Sequence, residues 1–414
     1  VKRVLMVAFH FPPFATSSGI QRTLRFVQHL PAFGWEPIVL TAAERAYDAV
    51  SRDLLAQVPP GVVVERAFAL DTARDLSVGG RYPAFLARPD RWMSWRFAAV
   101  AAGRRLVRRH RPAALWSTYP IATAHVVGRR LQARTGLPWI ADFRDPMAQD
   151  GYPADPATWR SFAAIERGAL AQARFGVFCT PGAAGLYARR YPALPDGRIR
   201  IIENGYDEES FDAPSAEAPQ GPLVPGCVTL LHSGIVYPSE RDPTRLFEAL
   251  GRARREGRAW LGALRLRFRA SGNDALLAEL ARRNGVEDRI ELAPPEPYRM
   301  ALREMLRADG LLVLQAANCN EQIPAKLYEY LRARRPVLGL TDPRGDTAGA
   351  MRAAGLEDIA PLDEPDAILA ALERFVLAVR SGRAGVASEA AIANSTRRAR
   401  AGELAALLDA STER

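Results

Sequence analysis

Short apolar runs alternate with amphipathic stretches along almost the whole chain, and the two patterns predict different elements. Runs at residues 4–9, 38–41, 62–64, 114–117, 139–143, 176–179 and 199–202 have the length and the branched or aromatic content of buried strands. Between most of them, apolar residues recur at helical spacing over 20–33, 92–110, 122–134, 156–173 and 183–191. Alternation of this kind makes βαβ units and a mostly parallel sheet.

The pattern breaks at residues 212–222, which lack periodicity and carry three prolines. It then restarts, with strands predicted at 228–233, 264–270, 290–292, 311–315 and 337–340. Helices are predicted at 243–255, 274–283, 297–307, 324–334 and 365–380, and a last helical pattern covers about 387–408. The expectation is an α/β protein with two Rossmann-like, doubly wound parallel sheets. Its domains are residues 1–212 and 227–386, a linker at 213–226, and a terminal helix over 387–414. Ligands of such sheets bind at the carboxyl ends of the strands, so two of them on one linker are expected to share a central cleft.

Composition narrows the classes. In 414 residues, 48% are hydrophobic and 25% charged, which excludes wholesale disorder. No run approaches the length of a membrane span. The opening Lys2-Arg3 and apolar 4–9 resemble a secretory signal, but His10 and Pro12-Pro13 stop the run too early, which predicts a first strand and no export. Cys179, Cys227 and Cys319 are too widely spaced for a disulfide framework or a zinc cluster, which suits a reducing cytoplasm. No dinucleotide fingerprint, P-loop or paired-aspartate metal motif is present. The net charge is +10, yet only Lys2 and Lys326 of the 56 basic residues are lysines. Arginine fills nearly every generic basic position, so a compact ammonium at 326 stands out.

Candidate chemistry gathers where strands end. The loop from His10 to Gly19 opens a helix, either as an anion site or through ordinary capping by Ser17 or Ser18, with Arg22 one turn in. Residues 139–146 put Asp142, Arg144 and Asp145 at a strand end, read as a site in preference to a structural ion pair. Asn204-Gly205 reads as a turn. The stretch 231–243 closes the first strand of the second half, with Gly234 open to a close backbone approach and Arg241 ahead of the next helix, read either as a site or as a turn with an exposed arginine. The segment 318–331 follows a buried strand and contains Asn320, Glu321, Ile323, Pro324, Lys326 and Glu329. Pro324 suits a first helical turn, which predicts Glu321 at the helix mouth and Glu329 about two turns inside. Carboxylates accept hydrogen bonds from sugar hydroxyls, and an ammonium neutralises phosphate. Glutamates eight apart recur elsewhere, at 36/44 and 240/248 for example, so the context singles this pair out and the spacing does not. Residues 81–111 mix aromatics with arginines. A packed helix burying Met93, Phe97, Val100, Ala101 and Leu106 is favoured over a membrane-surface helix.

Taken in order, the His10-Phe11-Pro12-Pro13 loop, the run at 141–146, the turn at 204–207 and the Glu321…Glu329 segment resemble the retaining glycosyltransferases of family 4, of GT-B fold. The resemblance implies a terminal helix returning to the first domain and transfer of a sugar from a nucleoside diphosphate sugar to an acceptor hydroxyl. Anomeric configuration would be retained, without metal or cofactor. It implies that Glu321 contacts the donor sugar and that Glu329 holds the ribose. Arg241 would grip the diphosphate, approached by Gly19 and Gly234, with Asn320, Ile323 and Pro324 lining the donor site. Asp242 stands where the family has glycine, and the family's further arginine after Gly234 is missing, so Lys326 is the candidate replacement cation. His10, Asp142 and Arg144 are assigned to the acceptor side. The acceptor would be a glycan, a lipid-linked group or a small molecule, handled in the cytoplasm or at the inner face of the plasma membrane, with no nucleic acid partner. A sugar-nucleotide epimerase of the same architecture is the nearest rival, and a non-enzymatic basic binding protein the most distant.

Overall fold

The computed structural model describes residues 1–15, 19–212 and 221–413. Most of the expected linker, residues 213–220, and the capping candidates Ser17 and Ser18 lie outside them. The described chain forms two compact units, Val1–Asn204 with Arg397–Arg414, and Gly205–Thr396.

In the first unit the strands are β1 (Lys2–Val7), β2 (Trp35–Ala42), β3 (Val63–Ala67), β4 (Ala114–Thr118), β5 (Trp139–Arg144), β6 (Phe175–Phe178) and β7 (Ile199–Ile201). They form one parallel sheet in the order β3-β2-β1-β4-β5-β6-β7. The alternation of strand side chains is visible in the core. Leu5, Val7 and Phe9 pack on one face with Trp95, Leu115 and Trp139, while Val4, Met6 and Ala8 pack on the other with Leu24, Val27 and Trp116. The second face is completed by Ala401, Leu404, Ala405 and Leu408 of the helix Arg397–Thr412.

The second unit repeats the architecture. Its strands are β8 (Val228–Ser233), β9 (Leu264–Arg269), β10 (Ile290–Ala293), β11 (Gly310–Gln315), β12 (Val337–Thr341) and β13 (Ile359–Ala360). They run parallel in the order β10-β9-β8-β11-β12-β13. Both sheets reverse their direction of growth once, between β1 and β4 and between β8 and β11. Ligands of doubly wound sheets bind at such switch points.

Every predicted strand exists within a few residues. The two-residue β13 and the helix Asp346–Ala353 are too short or too small in side chain to show periodicity. Three expectations need correction. The single pattern at 387–408 is two helices, Glu389–Asn394 and Arg397–Thr412, separated where the chain leaves the second unit. The unit boundary falls at 204–205, ahead of the Pro-rich stretch, because Tyr206 and Phe211 are buried among Leu302, Leu327, Tyr330 and Leu331 of the second unit. Arg332 lies over the Phe211 ring at 5.1 Å and pairs with Glu208 at 2.6 Å. A proline-rich composition marks where regular structure stops, and burial decides where a core begins. In the helix Trp95–His110 the buried stripe is Trp95, Ala99, Val100, Ala102, Gly103 and Leu106, while Phe97 is 63% exposed and Ala101 also faces solvent.

Phe211→Ala is expected to cost about 3–5 kcal/mol, the usual penalty for emptying a buried aromatic position. Urea unfolding followed by tryptophan fluorescence measures it, and an unchanged midpoint would return 205–212 to a linker role.

Candidate functional site

At the end of β8 the chain turns through Gly234, whose φ of +117° is a left-handed conformation suited to glycine. The turn is held by Gly234 N–H donating to the Arg269 carbonyl at 2.8 Å and Ser233 N–H donating to the Tyr330 hydroxyl at 3.0 Å. Lys326 reaches this turn from the helix Lys326–Ala333, and a Cβ on residue 234 would meet its Nζ at 3.1 Å. The ammonium lies 3.1 Å from Nε2 of His232, a fully buried ring that sequence reasoning passed over. Burial and repulsion from Arg241 pull the Lys326 pKa down to about 7, and the charge of Glu329 opposes them. Arg241 donates to the Ile235 carbonyl at 2.7 Å, stacks over Tyr237 and keeps a buried Nε without a partner among the described residues. Asp242, where glycine was expected, accepts from the N–H of Thr244 at 2.9 Å and from its hydroxyl at 2.6 Å, at the first residue of the helix Thr244–Arg255.

The segment after β11 is fastened on both sides. Asn318 Nδ2 donates to the Ser239 carbonyl at 2.8 Å, and Ala316 N–H donates to the Glu240 carbonyl at 2.7 Å, which ties it to the Gly234–Arg241 turn. Asn320 Nδ2 donates to Asp342 at 2.7 Å, and Arg344 with Asn320 holds that carboxyl down at about 2. The Asn320 amide thus braces the segment against Asp342 through Nδ2, and its buried Oδ1 has no partner among the described residues. Ile323 packs into the core and Pro324 is buried, so neither presents its side chain to a ligand. The helix begins two residues later than predicted. Lys326 is its first residue, and Glu329 lies in its first turn, where the helix dipole favours a carboxylate. Glu321 lies in a turn ahead of the helix, and its charge, with those of Glu240 and Arg241, is felt at Cys319. Glu329 Oε1 accepts from the Tyr298 hydroxyl at 2.7 Å, which adds a half-exposed tyrosine to the site. The structure thus gathers Gly234, Arg241, Lys326 and Glu329 around the β8 turn.

In the first unit the carboxyl ends of β1, β4 and β5 supply a second cluster. His10 is 8% exposed, its Nδ1 has no partner among the described residues, and burial with the Arg144 charge lowers its pKa to about 3. Arg144 sits at a bulge in β5 with φ +63°, a strained conformation of the kind that clusters at functional sites. Asp142 is not on this edge. It is fully buried and takes both ends of the Arg22 guanidinium, Nε to Oδ2 at 2.9 Å and Nη2 to Oδ1 at 3.0 Å, while Thr118 donates to Oδ2 at 3.1 Å. Arg22 also donates to the Ile202 and Glu203 carbonyls at 3.0 Å each. The pair is structural, and Arg22 is neither solvated nor free for an anion. The carboxylate at the edge is Asp145, whose side chain has no hydrogen bond or ion pair among the described residues and whose pKa burial raises. Gly19 is the buried first residue of the helix Gly19–His29. Among the described residues, no group of three His, Cys, Asp or Glu side chains could hold a metal ion, and no helix is long and apolar enough to cross a membrane.

Residues 18–205 match the glycosyl transferase 4-like domain family. No curated protein matches the chain. Among solved structures it is similar to α,α-trehalose 6-phosphate synthase from Burkholderia multivorans, at 13% identity and TM-score 0.65 over 99% of this chain and 96% of that one. It is also similar to Anabaena HepE in complex with UDP and glucose, at 13% identity and TM-score 0.63 over 99% of both chains. Sucrose-phosphate synthase from Thermosynechococcus elongatus matches at 13% identity and TM-score 0.60 over 100% of this chain and 96% of that one. These likenesses establish the GT-B fold.

Asp142→Ala leaves Arg22 buried without its counter-charge and is expected to destabilise by about 3–5 kcal/mol. Replacing both residues with apolar ones (Arg22→Met with Asp142→Leu) should recover much of that loss in chemical unfolding. An Asp142→Ala protein of unchanged stability would contradict the structural assignment.

Proposed function

From a glycosyl transferase 4-like first unit and a GT-B fold, we propose that the chain is a glycosyltransferase that moves a sugar from a nucleoside diphosphate sugar to an acceptor hydroxyl, with retention and without a metal. The observation that carries this reading is the convergence of Gly234, Arg241, Lys326 and Glu329 at the β8 turn. Breaking the glycosidic bond places negative charge on the departing diphosphate. Fixed cations at that position are worth about 10²–10³ each in rate. Arg241 and Lys326 supply them, and the bare backbone at Gly234 lets an anion come close.

In this reading Glu329 exchanges its Tyr298 partner for ribose hydroxyls, and Glu321 accepts from hydroxyls of the transferred sugar. His10, Arg144 and Asp145 form the acceptor side, with Asp145 in the role first given to Asp142. The HepE structure contains UDP and glucose, which supports a uridine nucleotide as the first donor to test. Exposed Phe85 and Phe97 beside the arginines of the first unit support peripheral attachment to an anionic membrane in the cytoplasm.

Glu329→Ala is expected to raise the KM for donor at least tenfold, and Glu321→Ala to lower kcat. Steady-state kinetics on a panel of nucleotide sugars and acceptors separates the two, and full activity in both variants would discard the site. Turnover of donor without any acceptor would favour the epimerase. Because the free Lys326 is an ammonium below about pH 7 and neutral above it, kcat/KM for the donor should fall as pH rises through 7. The Lys326→Arg variant should shift that limb upward.

A further inference from the structure

Resting on the reading above, we propose that His232 is the positioning residue that holds the Lys326 ammonium against the Gly234 turn, where the diphosphate is met. The ring is fully buried in β8, and its two nitrogens face different partners. Nδ1 lies 3.0 Å from the Leu312 carbonyl, which can only accept, so Nδ1 carries the ring proton. Burial and the charges of Lys326 and Arg241 hold the ring's pKa well below the usual histidine value, against the opposing backbone groups of Leu312 and Gly234, and keep it neutral. Nε2 is therefore a lone pair, and the Lys326 ammonium donates into it across 3.1 Å. One of the three ammonium donors is spent on this contact, which leaves two for a ligand. Phe268 lies against the ring at 5.8 Å, and the absence of a Cβ at Gly234 keeps open the 3.1 Å approach of Nζ. The carbonyl fixes the tautomer, the tautomer fixes the lysine, and the glycine makes room for it.

The groups facing Lys326 are Arg241, which repels it, Glu329, which attracts it, and His232, which alone among them accepts from it at hydrogen-bond distance. Loss of the acceptor should both release the side chain and make the ammonium harder to keep.

Isothermal titration of UDP, GDP, dTDP and ADP into the full-length protein, followed with the tightest of them, tests the proposal. The amide oxygen of His232→Gln can stand where Nε2 stands, whereas His232→Asn replaces only the Nδ1 contact. His232→Asn is expected to weaken nucleotide affinity about tenfold and His232→Gln to stay within about twofold, the scale of one hydrogen bond to a charged group. The loss of affinity with rising pH should begin at lower pH in His232→Asn than in the wild type. If His232→Asn binds like the wild type while Lys326→Ala is weak, the positioning role is wrong. Equal weakening by Asn and Gln would reduce the ring to a packing element. Wild-type affinity in Lys326→Ala, or no binding by any of the four nucleotides, would overturn the donor-site reading itself. Should the variants not fold, nitrogen NMR of the wild-type ring still decides, since a proton on Nε2 excludes the proposed contact.

Discussion

Parallel strands all end on the same side of their sheet, and the residues that leave those ends have no ladder to enter. At the two positions where the order of strands reverses, the departing loops diverge and leave a gap between them. The chain places its unusual chemistry at those two positions. His10 leaves β1 at one of them, with Asp145 one strand further on at the end of β5, while Gly234 leaves β8 and Glu321 follows β11 at the other. The backbone direction therefore fixes where reactive groups can stand, and the side chains determine what they do.

The two units use buried charge differently. In the first, Arg22 and Asp142 neutralise each other completely and bind three further polar groups, so nothing is left for a ligand. In the second, Lys326 contacts a neutral ring, lies near a repelling arginine and has Glu329 as a partial counter-charge. An ion pair with satisfied partners stabilises a fold, whereas a cation held by a neutral acceptor keeps its charge available for an incoming anion.

The sheets were legible because buried parallel strands form short apolar blocks between amphipathic helices, and twelve of the thirteen strands among the described residues carried that signature. The domain boundaries were less so, since Tyr206 and Phe211 look like loop aromatics until the core that buries them is known. At the sites, the rarity of lysine singled out Lys326, and the turn residue Gly234 was readable as well. Asp142 and Asp145 could not be ranked by sequence. They lie three residues apart around one arginine, and only their partners separate the carboxylate paired with Arg22 from the one with no side-chain partner among the described residues. His232 was missed because a histidine inside an apolar strand resembles a core residue until its two nitrogens have partners.

The chain passes between the units twice, and Tyr206 pairs with Thr396 where the two passages lie side by side. The second unit is thus an insertion within the first, whose helix Gly19–His29 is covered by the helix Arg397–Thr412. On the ribosome, the apolar flank that includes Leu24 and Val27 must wait, uncovered, for nearly four hundred residues of synthesis. The inserted unit can close before the one that began first, which inverts the usual amino-to-carboxyl order of domain folding. It also makes the unfinished first sheet the stage at which a nascent chain is most exposed to chaperones and to aggregation.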